Sequence, residues 1–474
     1  MVHTAQDFSV FSLVVFGLLL ALLSSGTLRA AEGEGGEDAA EAVSPHLANR
    51  PLMRDFMGIN GNIGKFRPQL YAKTCRLVRD YHNGEWDYGD SPANETTYPM
   101  TRLERASGGV FAGGLNWLEG YHRYLASGYR INACIQTPRT PMENWGDHEA
   151  NAYRLGRTIA EYFGPSGENK LIETIQVENE PKQQDAEFYA EHLRAFGRGV
   201  RDGDPAIRIV TCNIQAGEPD RYSKPTSVLE GSDEYYDVIA VHTYALADHW
   251  PTYRRSFPED PINVFLRRVK ELIEWRDAHA ADKPIWVTEF GWDATTAPTP
   301  TEYPQSAYVD VSDTQQAQYI VRAFMVFSAM PIERAYLFYF NDANGHSVHK
   351  ASGITRNDYQ PKASFHAMQH LFETLGDYRF SRAMEAKDHY LYLYEYVRDG
   401  DENDHVYAVW SPSGHAREFI TEFELPARPW KAERMPLEAG PAPSAVYEVT
   451  DEGKIKLTVT ESPTYFWVRT DGAE

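Results

Sequence analysis

The 474-residue chain is long enough for two or three domains and a sizeable core, and its 42% hydrophobic and 24% charged content is that of a soluble globular protein rather than a disordered one. A net charge of −22, spread along the chain with one local cluster near the N-terminus, repels phosphate backbones and anionic membranes and argues against a nucleic-acid partner. Aromatic residues reach 13%, an excess shared by proteins that stack sugars or bases and by large β-rich cores.

In chain order, residues 8–23 form an apolar stretch followed by Ser24, Ser25 and Gly26, and then by Leu28-Arg29-Ala30-Ala31. That is the layout of a secretory signal peptide over residues 1–31, with a small-residue cleavage zone. The segment before it carries Asp7 and no Lys or Arg, so an uncleaved N-terminal anchor is the alternative, although the run is short for a full span. Residues 32–49 read as a solvated acidic linker. The expectation is an exported protein, whether secreted, periplasmic or at the cell surface. Asn94-Glu95-Thr96 is a glycosylation acceptor only in a host that glycosylates exported proteins.

From about residue 50 to 376, short apolar, β-branched or aromatic runs alternate with longer polar stretches. Eight runs stand out, at 56–60, 76–81, 129–136, 172–178, 207–213, 237–243, 284–289 and 334–340. Helix-period apolar residues mark 148–163, 185–203, 260–280, 312–330 and 361–375, as in Val264, Phe265, Val269, Leu272 and Ile273. Eight strand–helix units fit a (β/α)8 barrel with long loops better than an open doubly wound sheet. No glycine-rich phosphate fingerprint follows any run.

Residues 377–474 change character: runs at 389–397, 406–410, 419–425, 445–449, 454–460 and 465–469 are separated by turn residues. They predict a small antiparallel β-sandwich that serves as an accessory module. The three cysteines, Cys75, Cys134 and Cys212, lie in or beside apolar runs without a metal or redox spacing. Buried apolar residues are the default for them, with a single bridge left open.

In such a barrel, chemistry sits at the C-terminal ends of the strands. The fourth run ends Val177-Glu178-Asn179-Glu180-Pro181 and the seventh Val287-Thr288-Glu289-Phe290-Gly291-Trp292. Strands four and seven lie on roughly opposite sides of an eight-stranded ring. Two carboxylates facing each other across its mouth are what double-displacement glycoside hydrolysis requires, with retention of configuration at a separation of about 5 Å.

These residues resemble the retaining glycoside hydrolases of clan A, the 4/7 superfamily, over residues 50–376; the trailing β-domain is similar to that of xylosidase-like and agarase-like members. The resemblance implies Glu180 as general acid/base, Glu289 as nucleophile and Asn179 as a hydrogen-bond partner of the sugar 2-hydroxyl. Glu180 must hold its proton near neutrality, and Glu289 must stay ionised and so needs donors. Tyr244, in Ala240-Val241-His242-Thr243-Tyr244, is one candidate donor and Arg79 a positive partner. Arg79 reads equally as a rim residue paired with Asp80 or Glu85, and His242 equally as a hydrogen-bonded core histidine. Of the tryptophans Trp86, Trp145, Trp250 and Trp292, the last is the best sugar platform, because it follows the carboxylate by three positions. The clan often carries a tryptophan at strand eight; here the run is Tyr336-Leu337-Phe338-Tyr339-Phe340-Asn341-Asp342, which leaves Phe340 or Tyr339 in that role.

The histidines His148, His346 and His349 lack an HExxH-type spacing, the mechanism needs no metal or other cofactor, and no Gly-x-Ser-x-Gly elbow follows a strand. The expected function is a retaining β-glycoside hydrolase acting on a plant or algal polysaccharide or its oligomers. The alternatives are a non-catalytic carbohydrate-binding protein on a glycosidase-like barrel and a structural or adhesive surface protein. The expected partner is a carbohydrate. Sugar, linkage, endo or exo action and oligomeric state are not set by the sequence. The inserts at 82–115 and 244–262 either wall off a pocket or line a groove, and Arg139 is the one basic group suggested for a sulfated glycan.

Overall fold

The computed structural model describes residues 50–471 apart from 90, 97, 99–115, 344, 388 and 389, with the backbone alone at 385–387. The expected signal peptide, the acidic linker and part of the insert at 82–115 lie outside the described residues.

Eight strands form the barrel: β1 (Met57–Gly61), β2 (Leu77–Asn83), β3 (Arg130–Gln136), β4 (Thr174–Val177), β5 (Arg208–Gln215), β6 (Val238–His242), β7 (Ile285–Phe290) and β8 (Arg334–Leu337). Each pairs in parallel with the next, and β8 returns to β1, so the sheet is closed. The two-residue strand Lys224–Pro225 adds to the end of β5 outside the ring. Among the described residues, six helices of 10 residues or more follow the strands: α1 (Trp117–Ala126), α2 (His148–Phe163), α3 (Ala186–Gly203), α4 (Phe265–His279), α5 (Asp313–Ala329) and α6 (Ala363–Leu375). Asp147 and Asp185 accept from backbone N–H groups in the first turns of α2 and α3, and Ser312 with Gln315 forms a capping box on α5.

Two connections lack a full helix. Between β1 and β2 there is one turn, Pro68–Tyr71, and between β5 and β6 only the 3-10 turns Thr226–Leu229 and Asp233–Tyr235. The latter stretch holds Gly217, Pro219, Pro225 and Gly231, which break a helical run. Helix α1 was not among the stretches that the apolar period marked.

The barrel interior is layered. Leu77, Val210, Val238, Ala240, Trp286 and Tyr336 form one apolar plug. Toward the C-terminal ends the inward side chains become polar, because alternate residues of a strand share a face: Leu77, Arg79 and Tyr81 on β2 are one such series. In β7 a bulge breaks this alternation. Val241 pairs with Val287 and His242 with Glu289, so Thr288 is the extra residue. Trp286 and Glu289, three positions apart, therefore both face inward, and the bulge aims the carboxylate at the axis.

The C-terminal strands form two antiparallel sheets. The five-stranded one runs β9 (Tyr378–Lys387), β10 (Leu391–Arg398), β11 (Asp401–Trp410), β16 (Thr464–Arg469) and β13 (Lys431–Arg434); the three-stranded one runs β12 (Phe419–Phe423), β15 (Ile455–Val459) and β14 (Tyr447–Val449). Strands β9 and β13 were not expected from the sequence. The five-stranded sheet is covered on both faces. Leu393, Tyr407, Val409, Phe466 and Val468 pack on Phe423, Ile455, Leu457 and Val459 of the smaller sheet. Their alternates Tyr394, Tyr396, Ala408, Trp410 and Trp467 belong to the same apolar cluster as the barrel helices. Helix α5 lies at this seam and is buried almost all round, from Gln316 to Ser328. At the seam the barrel residues Arg322 and Glu259 pair with both side chains almost wholly buried, and across it Arg322 donates to the Ser413 carbonyl at 2.8 Å and Trp410 donates to Glu259 at 2.8 Å. Barrel and sandwich thus belong to a single compact unit.

Candidate active site

The exits of β4 and β7 bring Glu180 and Glu289 together at the C-terminal mouth. Glu180, His242 and Glu289 each present an atom within 4.8 Å of the others. Glu289 is 7% exposed at its side chain and Glu180 21%, so one carboxylate is enclosed and the other reaches the opening.

Glu289 is surrounded by donors. Arg79 Nη1 donates to its Oε1 at 3.0 Å, the Tyr81 hydroxyl to the same atom at 2.7 Å, and the Tyr244 hydroxyl to Oε2 at 2.9 Å. Burial alone would push this carboxyl up. His242, Arg79 and the two tyrosine hydroxyls more than offset that and hold it down at about 2. Glu180 is shifted the other way: burial pushes it up and the Glu289 charge adds to this, while contact with His242 opposes it. His242 Nδ1 lies 2.9 Å from Glu180 Oε1 and 3.6 Å from Glu289 Oε2.

Arg79 is held rigidly across the barrel interior, fully buried. It donates from Nε to Gln176 at 2.6 Å, from Nη1 to Asn60 at 2.7 Å and from Nη2 to Asn179 at 2.7 Å. Of its two sequence readings the site partner is therefore the observed one; Asp80 instead accepts from Tyr124, and Glu85 from the Arg139 backbone. Asn179 Oδ1 accepts from Arg79, which orients its amide nitrogen away from the guanidinium. His242 is buried, yet its ring faces both carboxylates and its Nε2 has no partner.

Trp292 requires correction. It is fully buried, donates to the Ser256 carbonyl at 2.7 Å, and packs on Phe265, Phe290 and Tyr319. The β7 bulge turns Glu289 inward, and Trp292 falls on the helix side of the strand exit, where it is core. Trp145 is likewise buried, against Tyr88, His148 and His192, and Trp86 stacks on Trp117. Trp250 is 59% exposed beside Tyr303 on a strand-exit loop. At strand eight Phe340 is buried on Phe66 and Tyr71, and Tyr339 packs against it. Phe338 is half-buried next to the site, edge-on to Tyr81 and to His349.

Several residues around the carboxylates were missed from sequence. Tyr81 had a usable signal, since it lies two positions after Arg79 and so on the same face of β2. Asn60, Gln176 and Arg255 had none. Arg255 lies over the Tyr244 ring at 4.8 Å, pairs with Asp293 at 3.0 Å, and holds the tyrosine that holds Glu289. His349 sits against the same tyrosine, and burial and the Arg255 charge lower it to about 4, so it is neutral near pH 7.

Chemically the arrangement sets a carboxyl pushed toward the ionised form within 4.8 Å of one pushed toward the protonated form. Glu180, His242 and Glu289 are ligand types that a cation could also use. Here, however, Arg79 already balances Glu289 and the tyrosine hydroxyls occupy its lone pairs, a donor set suited to proton transfer.

No protein-family model and no curated protein matches the chain. Among solved structures it is similar to a family 39 glycoside hydrolase from the gut symbiont Bacteroides cellulosilyticus WH2, with a TM-score of 0.64 and 16% identity over 88% of this chain and 82% of that one. It is also similar to AbfB, a family 51 α-L-arabinofuranosidase from Bifidobacterium longum, with a TM-score of 0.57 and 12% identity over 88% and 96% of the two chains. A family 30 endoxylanase from Clostridium papyrosolvens C71 aligns with a TM-score of 0.52 and 12% identity over 89% and 97%. The chain therefore has the fold of clan A glycoside hydrolases, the class that the residues at strands four and seven resemble.

Proposed function

We propose that the protein is a retaining β-glycoside hydrolase of a plant or algal polysaccharide or its oligomers. The observation that carries this is the pair Glu180 and Glu289, with oxygens within 4.8 Å and opposite preferences for a proton. A separation of about 5 Å leaves no room for a water between carboxylate and sugar, which favours covalent attack over inversion. In this reading Glu289 attacks the anomeric carbon while Glu180 protonates the departing oxygen. Glu180 then takes a proton from a water whose oxygen attacks the anomeric carbon, and the bond from that carbon to Glu289 breaks with its electron pair left on the carboxylate. Arg79, Tyr81 and Tyr244 keep the nucleophile ionised, Asn179 faces the sugar hydroxyls, and the buried His242 acts on the substrate only through Glu180. The steps use side-chain carboxylates alone and call for no metal or cofactor. The solved structures named as xylanase and arabinofuranosidase support a plant-wall glycan as the first substrate class to test.

Product analysis on a polysaccharide and oligosaccharide panel tests the reading, with the anomer of the first product followed by NMR. Wild type should release product of retained configuration and Glu180→Gln should lose that turnover. Glycan binding without cleavage by wild type would instead support a non-catalytic binding protein. Export is proposed from residues 1–31, and N-terminal sequencing of the mature protein in its host checks it.

A further inference from the structure

We propose that Glu178 is a positioning residue: by clamping the exits of β3 and β4 to the start of α3, it fixes the direction of Glu180. The inference rests on the glycosidase reading above.

Glu178 has φ +65°, a left-handed conformation that favours glycine, directly after the last residue of β4. Its backbone N–H still donates to Ile135 of β3 at 2.8 Å, whereas the carbonyl of Asn179 accepts from Asn213 of β5 at 3.1 Å. The chain thus changes partners across one residue, and that turn sends Asn179 and Glu180 to the mouth. A glycine would make the same turn without strain. What glutamate adds is its buried side chain, whose partners are Thr137 and Gln184 rather than Glu180 or Glu289. It accepts from the Thr137 N–H at 3.1 Å, from the Thr137 hydroxyl, and from Gln184 Nε2 at 3.1 Å. Thr137 follows β3 and Gln184 precedes α3, so one carboxylate ties three segments together. Lys224 completes the hold by donating to the Pro181 carbonyl at 2.9 Å. None of these contacts is consumed by the proposed chemistry, although burial brings the Glu178 carboxyl up to about 7 against the Thr137 and Gln184 donors. A carboxylate kept at that cost, in a backbone conformation that suits glycine, fits a role in aiming its neighbour.

The leaving group separates positioning from general damage. A 2,4-dinitrophenyl glycoside departs without protonation, while the natural glycosidic bond needs the acid. The two substrates are compared for the sugar that wild type cleaves in an aryl β-glycoside panel. Glu178→Gly should cut kcat/KM on the oligosaccharide about 30- to 300-fold and on the dinitrophenyl glycoside less than about 3-fold. Glu178→Gln should restore most of the loss, because the unpartnered Gln184 Oε1 can turn to accept from the new amide. Thr137→Val, which leaves the turn untouched, should give the same leaving-group pattern at about 3- to 10-fold. Equal losses on both substrates, or no loss on the oligosaccharide, overturn the positioning role while the glycosidase reading stands. A wild type that cleaves no glycoside overturns both.

Discussion

Among the described residues two arginine–glutamate pairs are deeply buried, and their difference shows what separates a closed ion pair from one that faces a second carboxyl. At the barrel–sandwich seam, Glu259 accepts from Arg322 and from Trp410, both side chains are about 1% exposed or less, and every contact is internal. At the mouth, Glu289 accepts from Arg79 and two tyrosines in a similar way. It differs in having a second carboxyl within 4.8 Å and an opening to solvent. The seam pair is closed, so its role is to hold two layers together. The mouth pair is held as firmly, but from one side only, and its free side faces a group with the opposite affinity for a proton.

The comparison can be broken most severely at the mouth. Glu289→Ala should lower kcat about 10⁴-fold or more on any cleaved glycoside, with the fold retained by circular dichroism, as expected for a nucleophile acting as a unit with its partner. The seam counterpart, Arg322→Ala, should do the reverse. Leaving Glu259 buried and unpaired should cost about 3–5 kcal/mol in chemical denaturation while kcat at a permissive temperature stays within about 2-fold. Tyr244→Phe removes one donor from Glu289 and should reduce kcat about 10- to 100-fold with little change in stability. The pH dependence sharpens the contrast further. Glu289 is held below its ordinary value of 4.5, so its contribution to stability is complete above that value and is lost as pH falls toward about 2. Thermal melts of Glu289→Gln between those pH values should fall less steeply on acidification than those of wild type. Smallest of all, Trp250→Ala removes an exposed ring and should leave stability within about 0.5 kcal/mol.

All eight barrel strands were readable as apolar runs because each strand is buried on both faces and bounded by polar segments. Helices α2 to α6 were readable from their apolar period, whereas α1 follows an insert and buries mostly Trp117, Tyr121 and Tyr124, aromatics that gave no clear stripe. The two carboxylates were legible because strand ends announce themselves. Which aromatics face the mouth was not. Trp292 turns to the helix side because the extra residue in β7 shifts that strand's later side chains by one position relative to Trp286, and no periodicity reveals a bulge in advance; at the exit of β8 it is Phe338 whose ring lies beside Tyr81. Asn60 and Gln176 were invisible for another reason: they act by bridging strands distant in sequence, while Arg255 acts from the loop after β6 on Tyr244 and Asp293. Short β13 was missed because its Lys431-Ala432-Glu433-Arg434 has no apolar alternation to mark it.

The doubly covered sheet of the C-terminal module also bears on how the protein melts and how its halves evolve. Tyr394, Tyr396, Trp410 and Trp467 share one oil layer with the barrel helices. A chain cut after residue 376 would therefore lay bare a strip of α5 along with the matching sheet face. Calorimetry on the whole chain should record a single endotherm, and the module is not one that recombination can swap between enzymes like a tethered appendage.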